Sequence, residues 1–251
     1  MRRFALASIL LLAVIGAWQA VASLSSVDDL LLASPTEVAR SLSSDRSYLA
    51  DNAWVTFQEV ALGLGIAIVV GALSAVLMHL VRPLHDAAYP LLVATQAVPI
   101  PVIAPLLVLA FDYGVGPKIA IVALVCFFPI AVNLADGLRS VAPEQLKLMR
   151  SLGASRLGTL RRVELPAALP YGFSGLKIAA TVSVIAAVLG ETAGANAGLG
   201  YAVNNDNHNL ETPRAYAGVV LLAAMGVGLF ALTALAERVA VPWNRQGDLP
   251  A

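Results

Sequence analysis

QEVALGLGIAIVVGALSAVLMHLV, residues 58–81, is an apolar stretch whose interior is almost free of charge. A helix needs about 20 mostly apolar residues to cross the hydrocarbon core of a bilayer. Six segments, separated by turn or charged residues, meet or nearly meet this length: residues 4–24, 58–81, 88–111, 117–134, 171–190 and 216–239. The sequence therefore predicts an all-α integral membrane protein, a single domain over residues 1–251 with about six transmembrane helices.

The overall composition supports a membrane protein. Hydrophobic residues make up 59% of the chain and charged residues 13%, whereas soluble domains carry roughly 45–50% apolar and about 25% charged residues. The 16 basic and 16 acidic side chains cancel, so net charge gives no reason to expect a nucleic-acid partner. The single cysteine, Cys126, can form no intrachain disulfide and shares no metal with a second thiol. We expect it to serve in packing.

The first apolar segment allows two interpretations. Met1-Arg2-Arg3 before it and Ala20-Val21-Ala22 near its end resemble the flanks of a cleavable signal peptide. The apolar run is, however, longer than the ~7–15 residues of a usual signal core. We therefore predict a retained transmembrane helix.

The distribution of lysine and arginine predicts the orientation, because short cytoplasmic loops carry an excess of both. With a cytoplasmic N-terminus, the outer side receives only Arg40, Arg46, Lys118 and Arg214. The inner side receives Arg2, Arg3, Arg82, Arg139, Lys147, Arg150, Arg156, Arg161, Arg162, Arg238 and Arg245. Both termini are therefore predicted to be cytoplasmic.

The longest loop on the inner side reads PEQLKLMRSLGASRLGTLRRVELP, residues 143–166. Pro143 suits the first turn of a helix, and Gly153 stands where a left-handed C-terminal cap is expected. Ser155 can cap a second helix, which is expected to end before Pro166. The loop therefore predicts two short helices around a sharp turn.

The leucines of this loop predict an apolar edge. Leu148 and Leu152 are four residues apart on the first helix, and Leu157 and Leu160 are three apart on the second, so each pair shares a helix face. Basic residues flank both pairs. The loop is predicted to be a compact two-helix projection from the membrane.

This loop resembles the cytoplasmic EAA loop of the permeases of binding-protein-dependent ABC importers, which reads E-A-A, three residues, Gly, nine residues, Ile, one residue, Leu-Pro. Counted from Gly153, nine residues lead to Val163 in the isoleucine position, and Leu165-Pro166 follow in register. Lys147-Leu148-Met149 occupy the E-A-A positions, which puts in doubt the charge contact usually made there. The alternative is an ordinary positively charged inner loop.

The resemblance covers nearly the whole chain and is closest to the nitrate, sulfonate, taurine and vitamin-precursor branch. Its motifs include Ser34-Pro35-Thr36, Pro99-Ile100-Pro101 and Gly198-Leu199-Gly200-Tyr201. Asp112-Tyr113-Gly114 and Cys126-Phe127-Phe128-Pro129 look most like permeases for thiamine-precursor pyrimidines or riboflavin.

The resemblance implies an assembly in the inner membrane of a prokaryote. Two permease chains, expected to be identical, form the pathway, an external binding protein delivers a small organic solute, and each loop docks on a cytoplasmic ATPase. ATP-driven closure of the ATPases would switch the spans between inward-open and outward-open states. The residues implied for docking are Leu148, Arg150, Leu152, Gly153, Ala154, Arg156, Leu157, Leu160, Val163, Leu165 and Pro166.

The chain lacks the motifs of an enzyme. No Gly-x-x-x-x-Gly-Lys-Ser/Thr loop and no Gly-Lys pair occur, so ATP hydrolysis is expected in another chain and no cofactor is expected in this one. His-Glu-x-x-His is missing, and His79, His85 and His208 lie apart, so no metal site is predicted.

Few polar residues within the spans are candidates for the pathway. Gln96 lies just before Pro99 and Pro101, which interrupt the helical ladder and bend a span where it can line a cavity. A buried interhelical hydrogen bond is the alternative for Gln96. Glu191 ends the fifth span next to a glycine-rich turn, where it lies either near the pathway or on an ordinary solvated helix end.

A secondary transporter and a membrane scaffold are the two alternatives to an importer permease. A proton- or sodium-coupled secondary transporter would need carboxylates at the membrane centre or broken helices in related halves, and only Asp136 and Glu191, both near span ends, approach that description. A membrane scaffold would have no evident use for the prolines and the projecting loop. We therefore predict a permease without catalytic activity of its own.

Overall fold

The computed structural model describes residues 2–24, 32–111 and 114–243. Within these residues the secondary structure is helical and contains no strand, which confirms the predicted all-α class. The predicted turn at Asp112-Tyr113 and the basic residue Arg245 lie outside the described residues. The elements are α1 (Arg2–Leu24), α2 (Pro35–Ser44), α3 (Arg46–Leu80), α4 (Arg82–Thr95), α5 (Ile100–Phe111), α6 (Val115–Arg139), α7 (Pro143–Ser151), α8 (Arg156–Thr159), a π turn (Leu160–Glu164), α9 (Leu165–Gly194), α10 (Leu199–His208) and α11 (Thr212–Ala240).

Four helices in the described residues are long and apolar enough to span a membrane: α3, α6, the continuous run Arg156–Gly194, and α11. The bent pair α4 and α5 makes a fifth span if it is counted as one. In α1 the apolar part, Leu12–Ser23, is shorter than the length used for a span. Four or five spans are therefore supported, and the sixth stays a prediction.

The third predicted span, residues 88–111, is not one straight helix. Its two halves, α4 and α5, meet at an angle of 97° across a break of four residues or fewer. Pro99 is the last residue of the break, and a proline disfavours the helical conformation of the residue before it. The prolines therefore interrupt the helix more strongly than the simple bend expected from the sequence.

Helices α3 and α6 run side by side in the same direction. Gly63 of α3 lies against Val122 of α6, and Gly71 lies against Ile130, about two helical turns further along both helices. A Cβ atom on Gly63 would lie 2.6 Å from the Val122 Cβ. This glycine therefore permits close approach of the two helices, as small residues do at membrane helix interfaces.

Helices α6 and α9 pack antiparallel. Gly175 of α9 faces Pro129 in the middle of α6, while Gly190 faces Lys118 at one end and Gly137 faces Ala168 at the other. The apolar core lies between α3, α6 and α9. These three helices carry the 143–166 loop at one end, called here the loop end, and the 195–200 segment at the opposite end.

Candidate functional site

The turn of the 143–166 loop has the geometry predicted from its sequence. Gly153 has φ +73°, the left-handed conformation that favours glycine. Its N–H donates to the Arg150 carbonyl, and the Ala154 N–H donates to the Met149 carbonyl, both at 3.0 Å. These two bonds form a Schellman motif that ends α7.

The second helix of the loop does not end before Pro166, contrary to the sequence-based expectation. Ser155 caps α8 by accepting a hydrogen bond from the Gly158 N–H at 3.1 Å. The chain then passes through the π turn, in which the Leu165 N–H donates to the Leu160 carbonyl, and continues into α9. The wider turn shifts the hydrogen-bond ladder, so Pro166, which lacks an N–H, is accommodated at the start of α9.

The four leucines of the loop divide into exposed and buried residues. Leu148, Leu152 and Leu157 are 58%, 72% and 71% exposed, whereas Leu160 is 4% exposed. Leu160 belongs to a core cluster with Leu138 of α6 and its neighbours. The prediction that Leu160 belongs to the exposed edge is therefore wrong, because the π turn that it begins lies against the membrane helices.

The remaining loop residues lie at the surface or partly within it. Arg150 and Arg156 are exposed, and Ala154, Val163, Leu165 and Pro166 are half-buried. The Arg156 guanidinium donates to the Leu80 carbonyl at the end of α3.

A contact between Glu164 and His79, which the sequence did not predict, also joins the loop to α3. Glu164 Oε2 lies 3.1 Å from His79 Nε2, and both side chains are largely buried. The two residues are far apart in the sequence, and no local pattern links them. The loop is therefore anchored to α3 by Arg156 and Glu164 together.

Glu191 lies in a buried polar cluster at the opposite end, and it is only 1% exposed. Its Oε1 accepts a hydrogen bond from the Thr56 hydroxyl at 2.6 Å, and its Oε2 accepts from the Gly200 N–H. The interpretation of Glu191 as a solvated helix end is therefore wrong. Within this chain the carboxylate lies between α3, α9 and the 198–200 segment.

The same cluster fixes the glycine-rich segment after α9. The Gly198 N–H donates to Asn52 Oδ1 at 2.9 Å, and the Leu199 N–H donates to Thr56 Oγ1 at 2.8 Å. Gly198 has φ +115°, and a Cβ there would lie 2.3 Å from the Glu191 Cδ. Glycine at this position therefore meets both a backbone and a steric requirement.

Lys118 was assigned to an outer loop from the sequence, but the structure buries it. It is 6% exposed, in the first turn of α6, and its Nζ lies 3.2 Å from Glu59 Oε1 of α3. The signal that could have indicated the pair is Glu59 itself, a carboxylate inside an apolar segment, since ionisable groups in spans need a partner.

Gln96 lies at the break between α4 and α5 and is exposed in the single chain. Its Nε2 donates to Thr95 Oγ1 at 3.4 Å. A cavity of about 200 Å³ lies beside it, lined by Thr95, Gln96, Val98, Ile100, Ile103, Leu124 and Val125. Pro99 lies in the break and Pro101 lies in the first turn of α5, beside Val98 and Ile100, which line this cavity.

Helix α9 packs against α3, α5, α6, α10 and α11 and still leaves one stripe exposed. From Tyr171 to Ile185 the exposed residues recur every three or four positions, and they are Tyr171, Ser174, Ile178, Thr181 and Ile185; Thr192 is also exposed, near the end of the helix. A central helix with an exposed, partly polar stripe is available to a second chain or to a water-filled path. Lys177 lies beside this stripe and pairs with Glu237 of α11.

Within the described residues, no three His, Cys, Asp or Glu side chains form a group that could hold a metal ion. Cys126 is buried, and its thiol donates to the Ala179 carbonyl at 3.4 Å.

Sequence comparison finds close relatives over most of the chain. Residues 67–245 match the model of a family described as binding-protein-dependent transport system inner membrane component. A probable ABC transporter permease protein of Haemophilus influenzae is 37% identical over 85% of this chain and 87% of that protein. The formylaminopyrimidine transport permease protein ThiX of Halalkalibacterium halodurans is 35% identical over 86% of this chain and 87% of that protein. The taurine transport system permease protein TauC of Escherichia coli is 29% identical over 90% and 85%.

Solved structures share the fold at lower identity. The MetNI methionine ABC transporter, in an inward-facing conformation, matches with a TM-score of 0.67 and 20% identity over 76% of this chain and 95% of that chain. An amino acid ABC transporter with histidines matches with a TM-score of 0.63 and 19% identity over 79% and 97%.

Proposed function

The chain belongs to the family of binding-protein-dependent transport system inner membrane components and is therefore a permease subunit of an ATP-driven importer, and we propose how its parts divide that work. The loop end faces the cytoplasm, where the 143–166 loop docks on a separate ATPase subunit. The opposite end receives solute from a binding protein. Two copies of the chain enclose the pathway.

The observation that carries the docking proposal is the contrast between a rigid base and an apolar tip. Arg156 and Glu164 fix the loop to the end of α3, while Leu148, Leu152 and Leu157 remain exposed on the surface of the chain. Exposed leucines on a short helical projection suit a hydrophobic groove of a partner protein. A loop held at its base can transmit a movement of that partner to α9, because α8 and α9 form one continuous helix.

The basic residues at the loop end support the proposed orientation. Arg82, Arg139, Arg150, Arg161 and Arg162 all lie on or beside the loop or at the neighbouring ends of the spans. An excess of arginine and lysine in short loops favours the cytoplasmic side. Both described ends of the chain, at α1 and α11, are then on that side.

For the pathway we propose the break at Gln96, Pro99 and Pro101, together with the exposed stripe of α9. Non-helical backbone within a membrane is tolerated where it lines a cavity, and the break adjoins one of about 200 Å³. The stripe would face the second copy across the pathway. Glu191 is buried on the side of α9 that packs against α3, so we propose that it supports the outer end of the pathway without contacting solute.

As substrate we propose a thiamine-precursor pyrimidine. The support is the 35% identity with the formylaminopyrimidine permease over 86% of this chain. Riboflavin is the second candidate, from the riboflavin transport system permease protein RibX of Chloroflexus aurantiacus, 35% identical over 65% of this chain and 61% of that protein. A sulfonate is the third, through TauC.

The test is solute uptake into proteoliposomes that contain the chain, its ATPase and its binding protein. We expect ATP-dependent, vanadate-sensitive uptake of labelled formylaminopyrimidine in excess of riboflavin and taurine. Uptake of riboflavin or taurine instead would reassign the substrate while leaving the importer intact. Uptake that is insensitive to vanadate and abolished by an uncoupler would favour the secondary transporter instead.

A further inference from the structure

A cavity of about 850 Å³ lies between the α3–α4 junction and the 143–166 loop. We call it the flank cavity, because it lies at the side of the loop and is not lined by the exposed leucines at the tip of the loop. Three separate segments each contribute an arginine to its wall: Arg82 from the start of α4, Arg150 from α7, and Arg156 from α8. Leu80, Val81 and Leu146 form an apolar part of the same wall.

The arginines of the flank cavity outnumber the acidic groups available to neutralise them. Glu164 is the one carboxylate among the residues that line it, and it already pairs with His79 at 3.1 Å. Arg156 donates to the Leu80 carbonyl. Within the described residues, the guanidinium groups of Arg82 and Arg150 form no hydrogen bond or ion pair with another side chain or with the backbone. Two guanidinium groups are therefore free to bind an anion, and guanidinium forms bidentate bonds with phosphate.

The flank cavity lies at the level where the spans end. Helix α3, which is long and apolar enough to span a membrane, ends at Leu80, and α4 begins at Arg82, so the cavity lies at the end of that span. Beside it, Val81 is 46% exposed and Leu84 is 41% exposed. The site therefore combines basic groups with apolar surface, the two features that a phospholipid headgroup and the start of its acyl chains need. Basic pockets between membrane helices bind anionic headgroups in this way.

We propose that the flank cavity binds the phosphate of an anionic phospholipid through Arg82, Arg150 and Arg156. A free phosphate ion shares this chemistry, but the exposed Val81 and Leu84 favour the lipid. Since Arg150 and Arg156 belong to the loop, bound lipid would join α4 to the loop and stabilise its position. The proposal requires only that the loop end lie at a membrane surface, and it does not depend on the orientation or the substrate.

The test compares lipid retention by the full chain purified in mild detergent. Native mass spectrometry counts bound phosphatidylglycerol or phosphatidylcholine, and the thermal midpoint is measured as each lipid, or inorganic phosphate, is added. The variants are Arg82→Gln, Arg150→Gln and the double variant. The matched control is Arg161→Gln/Arg162→Gln, which removes two arginines from the same loop that do not line the flank cavity.

We expect the wild-type protein to retain phosphatidylglycerol in preference to phosphatidylcholine. Each flank arginine that is removed should weaken the binding of phosphatidylglycerol roughly five-fold, because one basic residue contributes about a five-fold gain in affinity for an anionic membrane. Arg82→Lys should recover part of the loss, and the control should bind as wild type does. A thermal shift produced by inorganic phosphate alone would keep the anion site and assign it to a soluble ion. Equal retention of both lipids, equal loss in the control, or release of the lipid when the ATPase subunit binds would overturn the proposal.

Discussion

Lys118 Nζ lies 3.2 Å from Glu59 Oε1, and this ion pair joins α6 to α3 where both side chains are almost fully buried. Glu191 and Thr56 lie in the same polar cluster, and they connect it to α9. A charged group removed from water is costly unless it is paired. The pair therefore makes the relative position of α3 and α6 sensitive to the loss of either partner.

Lys118→Met is expected to destabilise the protein by about 3–5 kcal/mol, because it leaves the Glu59 carboxylate buried without its cation. The double variant Glu59→Leu/Lys118→Met should recover much of this loss, since replacing a buried pair by apolar residues is often close to neutral. Thermal unfolding in detergent, followed by tryptophan fluorescence, measures both. A double variant less stable than Lys118→Met would contradict the pairing.

Gly198→Ala is expected to cost about 1–3 kcal/mol from the backbone alone, because φ +115° with ψ 158° is a conformation that essentially only glycine adopts. The alanine Cβ would also lie 2.3 Å from the Glu191 Cδ. The matched control is Gly65→Ala in α3, where a Cβ meets nothing within 4 Å. Thermal unfolding of the two variants should differ clearly. If both behaved as wild type does, the close contact between Gly198 and Glu191 would be refuted.

The features that depend on residues close together in the sequence could be predicted. The apolar segments indicated α3, α6, α9 and α11 as spans, and the order Pro143, Gly153, Ser155 predicted the helix, turn and cap of the loop. Each of these depends on residues close in the sequence. The family assignment followed from the same local spacing.

The features that depend on distant contacts were missed. Lys118 was placed in a loop because its partner Glu59 lies on a different helix, and positive charge near a span end is read as solvated by default. Leu160 was expected to be exposed because a regular helix would place it beside Leu157. It is buried instead because Leu138 of α6 and its neighbours pack against it, and these contacts come from residues that lie far away in the sequence.

Gly153→Val is expected to separate ATP hydrolysis from transport, because valine disfavours φ +73° and would alter the turn between α7 and α8. No neighbouring atom lies within 4 Å of a Cβ at this position, so the effect is one of backbone conformation alone. Gly153→Asn is the control, since asparagine tolerates the left-handed region. The ratio of solute transported to ATP hydrolysed in proteoliposomes should fall for valine and be largely kept for asparagine. A normal ratio for Gly153→Val would count against a coupling role for the turn.

Gln96→Leu is expected to change the rate or selectivity of solute uptake without loss of folded protein. The side chain is exposed at the break between α4 and α5 and makes one long hydrogen bond, to Thr95, so its removal leaves no buried group unsatisfied. Leu109→Ala in α5 is the control, because Leu109 is 79% exposed and does not line the cavity at the break. Uptake kinetics of two competing solutes distinguish the variants. Unchanged kinetics for Gln96→Leu would exclude Gln96 from the pathway.

Leu157 and Leu160 lie three residues apart, but Leu157→Asp is expected to impair binding of the ATPase, whereas Leu160→Asp is expected to impair folding. Leu157 is 71% exposed, so an aspartate there leaves the fold intact and removes an apolar contact from the surface that we propose docks on the ATPase. Leu160 is 4% exposed within the core cluster of α3, α6 and α9, so an aspartate there buries an unpaired charge.

Two measurements on each variant separate these outcomes: the yield of monodisperse protein from membranes, and the amount of ATPase subunit that co-purifies. Leu157→Asp should give normal yield with little ATPase, and Leu160→Asp should give low yield. Leu157→Ala is the control, because it shortens the side chain without adding charge and should keep part of the ATPase. Full ATPase recovery with Leu157→Asp would show that the tip of the loop is not the docking surface, and the proposal would then have to move to the basic face at Arg161 and Arg162.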